Sequence, residues 1–190
     1  WYAARMTRRF SKGWNPVLFL AVLLLAGCGK KPPAPKPLTP ELKILEQAIN
    51  AQLKGELVKA RELYEEALRL QPNLKGVDYQ LGVLAYAERD YVRARVHLER
   101  AASGTQAMAS AHSLLGVIAA QEQRYDDAFS AFARAAELAP GDAQPFFNWG
   151  EALREAGRPA EAVEQFRKAV QRRPDDPLFT LKLNLARIQS

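Results

Sequence analysis

Along most of this chain apolar residues recur at steps of three and four, the stripe of an amphipathic helix. Phe146, Trp149, Gly150 and Leu153 make one such stripe, and Ala162, Phe166 and Ala169 make the next. Between them Gly157-Arg158-Pro159 breaks the pattern. Glycine ends a helix readily, and proline is tolerated in a first turn. Leu115, Gly116 and Ala119, then Tyr125, Ala128, Phe132 and Ala135, write the same pair of helices earlier in the chain. Asp142 and Asp176 stand where N-caps belong, with Pro145 and Pro177 just inside the following helices. The predicted fold class is all-α, built of short helix-turn-helix pairs.

The pairs repeat with a fixed step. Ala60, Ala94, Ala128 and Ala162 are 34 residues apart, as are Ala67, Ala101, Ala135 and Ala169. Tyr64, Leu98, Phe132 and Phe166 keep the step. So do Gly82, Gly116 and Gly150, with Ala48 in the first copy, and Leu81, Leu115 and Trp149 just before the glycines. Pro72, Pro140 and Pro174 close three copies, and Gln106 stands in the other. This unit resembles the tetratricopeptide repeat, a helix-turn-helix of the same length. The resemblance implies an α-solenoid of four copies, 41–74, 75–108, 109–142 and 143–176, closed by a capping helix over 177–190. The first copy departs most, with Gln47 and Ala48 in place of Leu and Gly, as end repeats often do.

The resemblance also implies a concave face made mainly of first helices. The family's groove positions fall on Tyr79, Val83, Tyr86, Leu114, Val117, Gln121, Phe147, Asn148, Glu151 and Arg154. Tyr79, Tyr86, Phe147 and Asn148 are the expected anchors for an extended or helical peptide. The competing expectation for each is packing on a neighbouring helix. Co-chaperone members of the family clamp a C-terminal carboxylate with Lys, Asn and Arg. The positions weighed for that clamp here carry Leu45, Ile49, Gln80 and Ser110, which cannot neutralise a carboxylate, so this chemistry does not carry over. In the capping helix Phe179, Leu183 and Ala186 are expected to pack on the fourth copy. Leu178, Leu181, Leu185 and Ile188 form a second apolar row. Repeat curvature is expected to bury part of that row; the alternative is a docking face for a partner or a second copy of the chain.

The first forty residues read differently. Arg5, Arg8, Arg9 and Lys12 precede an unbroken apolar run, Val17 to Ala26. As a helix that run reaches about 15 Å, half of a ~30 Å hydrocarbon core. It therefore suits a signal-peptide core better than a spanning helix. The chain opens on Trp1, and Met6 would begin a more ordinary signal peptide. Leu25-Ala26-Gly27-Cys28 resembles the bacterial lipobox. That resemblance implies cleavage of 1–27 and a lipid on Cys28, the chain's one cysteine. Two or three acyl chains, at about 0.8 kcal/mol per buried methylene, hold a protein at a membrane firmly. Gly29, where the enterobacterial inner-membrane retention signal has Asp, points to the outer membrane facing the periplasm. Lys30 to Pro40 contains five prolines, which favour extended polyproline II and a tether between lipid and domain.

Charge narrows the function further. The formal net charge of +6 has a local origin. Residues 1–27 carry four basic groups and no acid, which leaves 23 basic against 21 acidic from Cys28 onward. The repeat region therefore has no general attraction for nucleic acid. The 48% apolar content is enough for a packed core. His112 is expected to pack in the core and His97 to lie at the surface, neither with an acidic partner at metal spacing. Ser103-Gly104 and Asp126-Asp127 read as turn and solvated-face residues. No nucleophile elbow, phosphate loop or metal motif is written in the chain, so no cofactor or enzymatic activity is expected. The sequence reads as a membrane-anchored adaptor or scaffold with a protein or peptide partner. It is similar in architecture to the repeat lipoproteins that assist pilus assembly. A scaffold for cell-wall hydrolases and a structural homo-oligomer without a client are the alternatives.

Overall fold

The computed structural model describes residues 39–74, 76–103 and 108–190. Cys28, the apolar run and signal region before it, Lys30 to Leu38 of the Pro-rich segment, Gly104 and Gln106 lie outside the described residues. Among the described residues the helices are α1 (Pro40–Leu53), α2 (Leu57–Leu70), α3 (Val77–Ala87), α4 (Tyr91–Ala102), α5 (Ala109–Gln121), α6 (Tyr125–Leu138), α7 (Gln144–Glu155), α8 (Pro159–Arg172) and α9 (Pro177–Gln189). Odd and even helices alternate as first and second members of four pairs, and α9 follows the fourth pair. Helices within a pair pack most extensively, and neighbouring first helices α5 and α7 also touch.

Each pair turns through the same device. Gly55, Arg89, Gln123 and Gly157 sit 34 residues apart, all in the left-handed region, with φ of 77°, 61°, 60° and 73°. The next residue's amide reaches five residues back in every copy. Glu56 N bonds Ala51 O at 3.0 Å, Asp90 N bonds Ala85 O at 2.9 Å, Arg124 N bonds Ala119 O at 2.9 Å and Arg158 N bonds Leu153 O at 2.8 Å. This is the Schellman closure of a first helix, and it satisfies carbonyls that the helix end leaves free.

The core between paired helices follows the repeating positions. Ala60, Ala94, Ala128 and Ala162 are fully buried, and so are Leu98, Phe132 and Phe166, with Tyr64 nearly so. The recurrent glycine has a steric cause. A Cβ on Gly82 would stand 2.6 Å from Leu98 Cγ, and one on Gly116 or Gly150 would stand 2.7 Å from Cε1 of Phe132 or Phe166. The ring or branched side chain of each second helix rests on bare backbone of the first. In the first copy Ala48 takes the glycine's place in a cluster that includes Tyr64.

Asp90 caps α4 by accepting from Arg93 N at 2.9 Å, a cap the sequence reading did not single out. Asp176 caps α9 through Leu178 N at 3.0 Å, as its position predicts. The assigned cap of α7 is Ala143; Asp142 still accepts from Gln144 N at 3.0 Å, so its carboxylate serves one residue further out. Both expectations for the histidines fail. His97 is largely buried, and its Nδ1 lies 2.9 Å from Asp78 Oδ1 across the α3–α4 pair, with Arg100 3.7 Å from the same carboxylate. His112, expected in the core, is only half-buried. Phe179, Leu183 and Ala186 pack on α7 and α8 as expected. The second apolar row of α9 is not covered by curvature: Leu178, Leu181, Leu185 and Ile188 are 46%, 54%, 41% and 83% exposed. The superhelix would need a further helix behind α9 to bury that row, and none is present among the described residues.

Candidate peptide-binding groove

The first helices line up one face of the array. Tyr79, Val83 and Tyr86 come from α3, Leu114, Val117 and Gln121 from α5, and Phe147, Asn148, Glu151 and Arg154 from α7. All are half-buried except Gln121, which is exposed. Helical spacing places each set on one stripe, so three stripes run side by side.

Side-chain hydrogen bonds tie the stripes together. Gln52 Nε2 on α1 donates to Gln80 Oε1 on α3 at 3.2 Å, and Gln52 Oε1 accepts from the Tyr64 hydroxyl at 2.7 Å. Gln121 Nε2 donates to the Tyr86 hydroxyl at 3.0 Å, joining α5 to α3. Asn148 Nδ2 donates to Ser113 Oγ at 3.2 Å, joining α7 to α5, while Gln144 Nε2 donates to Asn148 Oδ1 at 2.9 Å. Lys182 Nζ on α9 reaches Glu151 Oε2 at 2.7 Å, and Arg154 stands 3.6 Å from the same oxygen. Every neighbouring pair of first helices thus has a polar bridge on this face, and apolar side chains lie between the bridges.

The anchors divide in two. Tyr86 keeps its hydroxyl on the groove and tilts against Tyr91, with ring centroids 5.9 Å apart. Phe147 stacks on Phe179 at 4.7 Å and lies 5.7 Å from Phe166. Its ring is thus a wedge between α7, α8 and α9, the packing role that competed with anchoring. At the α1 end of the strip Leu42, Ile49 and Leu53 are exposed; the sequence reading considered Ile49 only for a carboxylate clamp and passed over it as an apolar contact. Their signal was available: Ile49 lies one 34-residue step before Val83. It also passed over the bridging partners Gln52, Ser113 and Lys182, because a partner across copies is fixed by superhelical twist and not by spacing within a helix. A separate hollow of about 430 Å³ opens beside Gln47, Asn50, Lys54 and Glu56, on none of the groove residues, and Glu56 there is paired with Lys59 at 3.2 Å.

No group of three or more His, Cys, Asp or Glu comes together among the described residues. What the face offers is apolar contact and amide or hydroxyl hydrogen bonds, the chemistry of peptide recognition.

Residues 107–175 match the family model described as tetratricopeptide repeat. That stretch carries tetratricopeptide repeats, and the whole helical array has the fold of such a solenoid. Solved structures of similar fold agree. One is YrrB, described as a tetratricopeptide-repeat protein with an unusual peptide-binding site; it is 25% identical, with a TM-score of 0.65 over 77% of this chain and 75% of that one. PilF of Pseudomonas aeruginosa is 19% identical, with a TM-score of 0.70 over 78% of this chain and 68% of that one. MamA is 19% identical, with a TM-score of 0.68 over 78% and 81%. Among curated proteins the human protein O-mannosyl-transferase TMTC1 is 28% identical over 125 residues. The tetratricopeptide array here spans 14% of that protein's length, and the transferase activity in its name is that protein's own.

Proposed function

We propose that this chain is a membrane-tethered tetratricopeptide adaptor that holds another envelope protein in its groove. The observation that carries the reading is the strip of half-buried Tyr, Val and Leu between polar bridges on the first helices. Such a face offers dispersion and hydrogen bonding to a bound segment at little ordering cost, because its bridges already hold the side chains in place. YrrB, at 25% identity, is described with a peptide-binding site on the same kind of scaffold. The tether is Cys28, lipidated after removal of 1–27, and the Pro-rich segment is the spacer. The domain then stands off the outer membrane on its periplasmic side, placed to serve assembly of a pilus or secretion machine.

Two measurements test the parts separately. Labelled palmitate is expected to enter the full chain and not its Cys28→Ser variant; label retained by the variant overturns the anchor. Affinity capture from crosslinked cells is expected to recover one set of envelope proteins with the wild type. The Tyr79→Ala, Tyr86→Ala, Asn148→Ala triple variant should lose that set while its circular dichroism stays helical. Phe147 is spared because its removal would unpack α9. Unchanged capture overturns the groove.

A further inference from the structure

The exposed row of α9 has the register of the groove. Leu178, Leu181, Leu185 and Ile188 lie one 34-residue step after Gln144, Phe147, Glu151 and Arg154. Lys182 belongs to the same helical stripe as Leu178, Leu181 and Leu185. Its Nζ bonds Glu151 on α7, which fixes the side to which the stripe turns. The row therefore continues the strip.

We infer that α9 is a fifth rung of the groove. Its occupant is a partner segment presenting a row of aliphatic or aromatic side chains, read by apolar contact and not by charge. This rests on the reading that the groove binds a partner at all. The charge distribution supports the ligand class. On α7 and α9 the strip carries Glu151, Glu155, Arg154 and Lys182, two of each sign, and three of them are bonded to one another. The strip positions of α3 and α5 carry no charge. A carboxylate or a basic segment would find no unanswered cluster of opposite sign. Size argues against a self-contained dimer face. Four partly exposed aliphatic side chains offer roughly 400 Å², against about 800 Å² per partner in a standard interface. The row is therefore too small to be an interface of its own and fits an extension of the strip.

The test places a photo-crosslinking phenylalanine at Tyr86, Leu181 or Val92 of the full chain in living cells, with adducts identified by mass spectrometry. Val92 is exposed on the second helix α4 and serves as the control. Tyr86 and Leu181 are expected to capture the same polypeptide through a segment with an apolar row, and Val92 is not. Leu181→Lys with Leu185→Lys should lower the Tyr86 adduct at least tenfold, whereas Val92→Lys leaves it unchanged. These positions are exposed, so circular dichroism should not move. A Tyr86 adduct with an inert Leu181 removes the fifth rung and leaves the adaptor standing. A second copy of the chain, or lipid, crosslinked at Leu181 overturns the inference in favour of self-association or membrane contact. A captured segment rich in charge and lacking an apolar row overturns the ligand class. No adduct at either position defeats the adaptor reading as well.

Discussion

At the residue scale the turn between paired helices is the most informative position. Two copies place glycine there and two place Arg89 and Gln123, all left-handed. An L-residue pays roughly 1–2 kcal/mol for that conformation, and glycine loses about 0.5–1 kcal/mol of chain entropy on ordering. Strain wins, so Arg89→Gly and Gln123→Gly should each stabilise the domain by about 0.5–1 kcal/mol. The two sites are distant, so the effects should add in urea unfolding. His112 gives a second prediction. Its pKa is held below the usual imidazole value, first by burial and then by the positive charge of Arg134, against a smaller opposing effect of the Ala102 carbonyl. The unfolded chain thus takes up this proton first as pH falls. The contribution of His112 is full above about pH 6.5 and is lost as pH drops below it. Melting temperature should decline less between pH 7.5 and 5.5 in His112→Gln than in the wild type. The packing code of the repeat was legible at this scale, since Gly150 and Phe166 recur in step. The His97–Asp78 pair was not, because those residues are 19 apart and meet only once two helices fold against each other.

At the element scale α9 separates two kinds of leucine and phenylalanine. Phe179 is 2% exposed and stacked on Phe147, while Leu181 is 54% exposed. Phe179→Ala should cost about 3–5 kcal/mol by cavity formation and lost transfer energy. Leu181→Ala should stay within about 0.5 kcal/mol. Urea midpoints of the two variants check the contrast; equal losses would mean that the row is covered. From spacing alone both sets look like core, since each recurs at helical steps. What decides between them is whether another helix lies behind α9, which the helix's own sequence does not say. The helices and their turns were readable because each copy repeats one local code. The polar bridges were not, because they depend on the angle between copies.

At the scale of the whole molecule the charge pattern bears on the proposed grip of the groove. Three of the four charged side chains on its α7 and α9 rungs answer one another. Capture of the partner should therefore hold, within about twofold, between 0.1 and 0.5 M salt in a pull-down, where a charge-led contact would weaken by an order of magnitude or more. The same array has an unequal elasticity. Within each pair, a buried side chain rests on bare glycine backbone in three of the four copies, and sliding one helix along the other would drive atoms together. Between copies the buried clusters continue, Val77, Leu81 and Leu84 with Ala48 and Tyr64 for example, but no glycine contact locks them, and the first helices are joined there by single side-chain bridges. The pairs are therefore the stiffer units, and the junctions between copies the softer ones. A segment that touched several rungs at once would have to fit the angles between copies. If the proposed lipid tether pulls on the array, the spacing of the rungs changes with it, and grip and tension become one mechanical variable.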